Sequence, residues 1–173
     1  MTIHSGHPFL PGDGERDPLR RLRGRMAAPV TVWTSQLDGR PVGWTVSSLL
    51  LADGRPSELV GLLDADSDLA DVVLRTRTVA VSVLSGSHRR LADAFAGLLP
   101  APGGAFRLGS WRDTEWGPVL GDAAGWLGAR LAPGEPVQAG WAVLVRATIE
   151  HVQLGETGDV LAHLRGRYRT LEL

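Results

Sequence analysis

Short runs of β-branched and apolar residues, each closed by a glycine or proline turn, recur along most of this chain. They constrain its fold more than any other feature. Val30-Thr-Val-Trp-Thr-Ser35 is the first run, and Asp38-Gly39 follows it as a hairpin signal. Val42 to Leu51 predicts a second strand, closed by the turn Asp53-Gly54-Arg55-Pro56, and Glu58 to Leu63 a third. Thr78 to Leu84 reads as a further strand. Phe106 to Trp111, Ala124 to Leu131, Pro136 to Gln153 and Val160 to Leu171 read as mostly strand. With 22 glycines and 11 prolines the chain has the residues such turns require. About seven short strands with few helices are expected to close, fully or partly, into a β-barrel, because closure removes edges that would pair between molecules.

Helical patterning is confined to three places. Asp17 to Ala28 predicts a short helix, with Asp17 as N-cap, Pro18 at the first position and Leu19, Leu22 and Met26 on one face. Its other face carries Arg20, Arg21, Arg23 and Arg25, which reads as a solvated face or as a phosphate contact. Ser67-Asp68 opens a second helix, with Leu69, Val72 and Val73 together and Asp68 and Asp71 near its positive end. His88 to Leu98 reads as a third, with Leu91, Phe95 and Leu98 inward. Residues 1–15 lack periodicity and read as a disordered leader, which leaves 16–173 as one domain.

Composition removes several kinds of chemistry. There is no cysteine, so disulfides, thiolate nucleophiles and cysteine-ligated metals are excluded. Every basic residue is an arginine, so lysine Schiff-base chemistry is excluded as well. A net charge of −1 gives no general drive toward nucleic acid or an anionic membrane. No apolar run approaches the roughly 20 residues of a membrane span, and no signal peptide is visible, so a cytoplasmic protein is expected. The histidines (4, 7, 88, 151 and 163) show no metal-ligand spacing. Ser85, His88 and Asp93 could be drawn as a hydrolase triad, but no nucleophile elbow surrounds the serine. The six tryptophans read mainly as core or interface anchors, with Trp44 the one placed to meet a ligand.

The segment Gly43-Trp-Thr-Val-Ser-Ser48 puts three hydroxyls within four residues, next to a glycine that permits close approach. By itself it reads either as an ordinary strand with polar residues in solvent or as a strand lying along a flat ligand. Its neighbours carry more. Pro29-Val-Thr-Val-Trp-Thr34 is followed by Gly39-Arg-Pro-Val-Gly-Trp-Thr-Val-Ser-Ser48, Leu62-Leu-Asp-Ala-Asp-Ser67 and Val79-Ala-Val-Ser-Val-Leu84. Then come His88-Arg-Arg-Leu-Ala-Asp-Ala-Phe-Ala96, Trp116-Gly-Pro-Val-Leu120 and Gly166-Arg-Tyr-Arg169. In this order and spacing the chain resembles the flavin reductase-like, FMN-binding split β-barrel family, from about Ala28 to Leu171.

The resemblance implies a mainly β split barrel with two to three short helices, assembled as a homodimer with its flavins at or near the subunit interface. It implies that Trp44, Thr45, Val46, Ser47 and Ser48 contact the isoalloxazine and ribityl chain of FMN, with FAD as the alternative cofactor. Asp64 and Ser67 would lie near the ribityl-phosphate end, and His88, Arg89 and Phe95 on a helix bordering the site. The implied activity is reduction of the flavin by NAD(P)H and delivery to a partner monooxygenase or other acceptor. No side chain need act as acid or base, so no catalytic residue and no metal are assigned. Four departures stand out. Asp53 to Glu58 lacks the family's paired prolines, Asp64 stands where many relatives have asparagine, Gln138-Ala-Gly-Trp141 replaces the family's Gly-Asp-His signature, and His163 stands where relatives often carry a tyrosine. They keep two further readings open: a non-catalytic flavin-binding module acting as electron carrier or sensor, and a dimeric scaffold with a degenerate pocket.

Overall fold

The computed structural model describes residues 17–156 and 158–173, so the leader expected over 1–15 lies outside the described residues. Helix α1 (Pro18–Arg23) precedes strand β1 (Ala28–Pro29) and the hairpin of β2 (Thr31–Leu37) and β3 (Arg40–Val46). β4 (Leu49–Ala52), β5 (Glu58–Asp64), α2 (Asp68–Thr76), β6 (Thr78–Val83) and α3 (Arg89–Phe95) follow. The rest is strand: β7 (Trp111–Arg112), β8 (Val119–Leu120), β9 (Gly125–Leu131), β10 (Val137–Ala139), β11 (Ala142–Leu154), β12 (Asp159–Leu164) and β13 (Arg167–Glu172).

The principal sheet is antiparallel in the order β3-β2-β6-β9-β11-β5-β4, with β10 added beside β11. It curls into a split half-barrel, the architecture the sequence predicts. β3 and β4 are consecutive in the chain yet stand at opposite ends of the sheet. Ser47-Ser48 joins them, so the strand expected as one piece over Val42–Leu51 is two strands with the split of the barrel between them. The period-two pattern sorts the side chains. Trp33, Val79, Val81, Leu59, Leu63 and Val145 fill the barrel interior, and Leu69 and Val73 of α2 close one end. The opposite face takes Val30, Val32, Leu84 and Leu161, covered by Leu91 and Phe95 of α3. β12 and β13 form with β1 a small sheet beside α3.

Three expectations need correction. α1 begins as predicted, with Asp17 accepting from the Leu19 N–H at 3.0 Å, but it stops at Arg23 and buries none of its residues. Leu19, Leu22 and Met26 are all exposed, since none of the six helical residues is covered by another element among the described residues. Leu98 is exposed as well: α3 ends at Phe95, and Gly97 at φ +70° turns the chain out of helical register. The strand expected over Phe106–Trp111 is a 3-10 turn at Ala105–Arg107 followed by the two-residue β7. No helix among the described residues is long and apolar enough to cross a membrane.

Candidate functional site

The hairpin at Asp38-Gly39 sets what β3 offers. Both turn residues have positive φ, 51° and 73°, the two-residue turn whose twist matches the strands. Such a turn makes Leu37 and Arg40 a hydrogen-bonded pair, and register then alternates: Val42, Trp44 and Val46 bond toward β2. Because β3 is an edge strand, the N–H and C=O groups of Gly43 and Thr45 point away from the sheet. Pro41, which has no N–H to leave unpaired, suits the same edge. Ser47 belongs to neither the β2–β3 nor the β4–β5 ladder and is exposed.

A cleft of about 270 Å³ lies against this edge. Gly43 and Trp44 form one wall, Asp68 and Leu69 of α2 a second, and Phe95, Gly97 and Phe106 a third. Trp44 is 39% exposed, and its indole tip reaches over Gly97 at the end of α3. Phe95 is fixed by edge-on rings, with Phe106 at 4.9 Å and Trp111 at 5.4 Å between centroids. The close approach permitted by Gly43 is taken up from inside the protein. A Cβ there would stand 2.7 Å from Phe95 Cε1 and 3.2 Å from Phe106 Cζ.

The ten residues expected to contact flavin are spread along this region. Trp44 and Phe95 both face the cleft. Thr45 points the other way, its hydroxyl donating to the Ala92 carbonyl at 2.7 Å and tying β3 to α3. Val46 is a core side chain. Ser47 and Ser48 are exposed at the split, where the Ser48 hydroxyl donates to Leu62 O at 3.0 Å and joins the β5 side. Asp64 and Ser67 flank the turn into α2: the Ser67 hydroxyl donates to Asp64 O at 2.7 Å and accepts from the Ala70 N–H at 3.1 Å, capping the helix.

His88 and Arg89 stand at the far end of α3. His88 is buried, and its Nδ1 accepts the Ser85 N–H at 3.1 Å with the Ser85 hydroxyl 2.9 Å away. Its Nε2 lies 3.2 Å from Asp122 Oδ2, but too far off the N–H line to count as a hydrogen bond. Arg89 reaches across to the Thr170 hydroxyl at 2.9 Å. The carboxylate beside His88 is therefore Asp122, while Asp93 accepts from the Tyr168 hydroxyl at 2.8 Å. Ser85 is buried and its hydroxyl lies 2.8 Å from that of Ser87 and 2.9 Å from His88 Nδ1, so the group clamps the start of α3.

The donor set fits the edge of a flat heteroaromatic ring. Among the described residues, backbone donors and acceptors of β3 and Ser47 are left without a sheet partner, beside an indole and a phenyl wall. The cleft's Asp68, Gly97 and Phe106 escaped the sequence reading, since only packing brings α2, α3 and the 3-10 turn against β3. A second depression, of about 340 Å³, lies between the β4–β5 turn and β11, lined by Leu51, Asp53, Ser57 and His151. It is lined by none of the ten expected flavin contacts.

Known proteins place this geometry in context. The reductase component of 4-hydroxyphenylacetate 3-monooxygenase from Pseudomonas aeruginosa is 28% identical over 156 residues, 89% of this chain and 91% of that protein. The FMN reductase (NADH) RutF of Ancylobacter novellus is 30% identical over 106 residues, 61% of this chain and 58% of that protein. The structure of the flavin reductase PheA2 in its native state superposes with a TM-score of 0.81 at 24% identity, covering 92% of this chain and all of that one. Residues 23–172 match the flavin reductase like domain. With most of its length matched and its barrel, split and cleft in place, the chain belongs to the flavin reductase like domain family.

Proposed function

We propose that this protein is the reductase component of a two-component system: it binds FMN, with FAD as the alternative, and uses NAD(P)H to reduce it for a separate monooxygenase. The observation that carries this reading is the cleft along the edge strand β3, where the backbone of Gly43 meets the Trp44 and Phe95 walls. The relatives' names supply the class of reaction. A bound flavin would supply hydride chemistry, accepting two electrons and a proton from the nicotinamide. The protein's part is binding and exclusion. Trp44 offers a face for stacking, and Ser47 and Ser48 offer hydroxyls and backbone groups at the split. Thr45 acts through the protein, holding α3 and with it Phe95 against the strand. Asp64 and Ser67 border the chain end of the flavin, and His88 and Arg89 fix the opposite end of α3.

The reading includes a homodimer working in the cytoplasm. Leu50 and Leu51 on β4 and Val152 and Leu154 on β11 are large apolar residues left in solvent, Leu154 at 83% exposure. β11 runs past the end of β5 at Thr148, with the Ile149 N–H still bonded to Ser57 O at 3.0 Å, and among the described residues its last residues pair in the sheet with β9 alone, beside the second depression. A second copy would cover both. Leu51→Asp with Val152→Asp should shift the particle to a monomer by light scattering, and an unchanged mass would remove this interface.

The function is tested by mixing purified protein with FMN and following NADH and NADPH at 340 nm. Turnover is expected. Flavin that binds and is reduced by dithionite but by neither nicotinamide would leave a non-catalytic flavin module instead.

A further inference from the structure

The short helix α3 is held from two sides. On the cleft side Phe95 forms part of a wall, and the Thr45 hydroxyl of β3 donates to Ala92 O at 2.7 Å. On the other side the β12–β13 hairpin contributes three side-chain bonds, spaced along α3 and the turn that leads into it. Asp159 accepts the Gly86 N–H at 2.8 Å, Thr170 accepts from Arg89 at 2.9 Å, and the Tyr168 hydroxyl donates to Asp93 at 2.8 Å. The first two fix the start of the helix. The third lies two residues from Phe95, at the cleft end. Two residues correspond to about 200° around a helix axis, so Asp93 and Phe95 leave α3 on opposite sides. The hairpin therefore braces the back of the helix whose front closes the cleft.

The aim of the Tyr168 hydroxyl is itself fixed. Its ring is half-buried against the apolar cluster that includes Leu91 and Phe95, and it stands edge-on to His163 at 5.7 Å between centroids. A carboxylate acceptor makes this bond one of the stronger kind. Resting on the function proposed above, we infer that Tyr168 is a positioning residue for flavin binding: through Asp93 it holds α3 at the depth where Phe95 meets the ligand. Tyr168 touches no ligand. Without its hydroxyl the cleft end of α3 keeps only the Thr45 bond, while the start of the helix stays pinned at Asp159 and Thr170.

The test titrates the full-length protein with FMN, following fluorescence quenching, and measures kcat with NADH. Tyr168→Phe keeps the ring and removes only the hydroxyl. It should weaken FMN binding by about three- to tenfold and leave kcat at saturating FMN within about twofold, the split expected when binding is lost and the chemistry is not. Asp93→Asn retains an acceptor oxygen and should bind FMN within about twofold of wild type, whereas Asp93→Leu should match Tyr168→Phe. Because the effect runs through Phe95, Tyr168→Phe added to Phe95→Leu should weaken FMN binding by less than about twofold beyond Phe95→Leu alone. A Tyr168→Phe protein that loses stability yet binds FMN within about twofold of wild type would reduce the bond to a structural one and overturn the inference. Independent, multiplying effects of the two substitutions on FMN affinity would overturn it as well. The Asp93 pair decides the matter if Tyr168→Phe does not fold. Failure of the wild type to bind FMN would sink the functional reading itself and is distinct from these outcomes.

Discussion

Replacing Gly43 by alanine asks whether the space beside β3 belongs to the protein or to a ligand. The backbone at Gly43 is not in the left-handed region, so alanine can adopt it, and the smaller unfolded-state entropy would by itself stabilise by about 0.4–1 kcal/mol. The new Cβ, however, lands 2.7 Å from Phe95 Cε1, 3.1 Å from Phe95 Cδ1 and 3.2 Å from Phe106 Cζ. Neither ring can step aside easily, since Phe95, Phe106 and Trp111 pack edge-on with centroids 4.9–5.4 Å apart. Overpacking of this kind costs about 1–3 kcal/mol, which leaves a net loss of about 1–2 kcal/mol. For a domain of this size that is a fall in Tm of about 2–8 °C. Urea and thermal unfolding would measure it on Gly43→Ala, Phe95→Leu and the double variant. Leucine at 95 relieves the clash, so the double variant should be more stable than the sum of the singles by about 0.5 kcal/mol or more. If Gly43→Ala is as stable as wild type and the two changes simply add, the rings do not require the glycine. If it also loses flavin, the space is the ligand's.

Alkaline stability should depend on one side chain. The chain has a single tyrosine, no lysine and no cysteine, so between about pH 9 and 11 only Tyr168 titrates among its side chains. Burial, and then its bond to Asp93, raise the Tyr168 phenol above its ordinary range. A raised folded-state value means that this contribution is complete below about pH 10 and declines as pH climbs, because the unfolded chain loses its proton first. The urea midpoint should therefore drop across that window in the wild type but not in Tyr168→Phe, and parallel curves would refute the assignment. His88→Ala would leave the buried Ser85 N–H without its acceptor, a loss of about 1–3 kcal/mol by denaturant unfolding, with flavin affinity unchanged within about twofold. Lost flavin at wild-type stability would mean that His88 acts on the flavin site. In Gly128→Ala the added Cβ would overlap the Trp116 indole, which lies on that glycine and donates to Glu150 at 2.6 Å. Stability should fall by about 1–3 kcal/mol with a shift in tryptophan emission, and an unchanged spectrum would argue against this packing.

Much of the strand content was legible because alternation is written locally. Val79 and Val81 face the barrel interior while Ser82 faces the other way, as period two requires. The Asp38-Gly39 hairpin and the Ser67 helix cap were equally legible, since each depends on residues within a few positions. Where the reading failed, the missing information was non-local. Leu19, Leu22 and Met26 have the spacing of a buried face, but burial needs an opposing element and none among the described residues covers them. Val42 to Leu51 reads as one strand, yet its halves pair with β2 and β5, which the curl of the sheet brings to opposite sides of the split.

The site divides in the same way. The sequence by itself marked Gly43 to Ser48 as the segment to expect beside a ligand, through a resemblance carried by the order of its motifs along the chain. Tertiary structure decided what each residue does. It turned the Thr45 hydroxyl onto α3, filled the space at Gly43 with Phe95, held Arg89 at β13 and brought Asp68 of α2 to the cleft beside β3. Those assignments depend on which elements pack against β3 from more than twenty residues away, and local pattern carries no record of that.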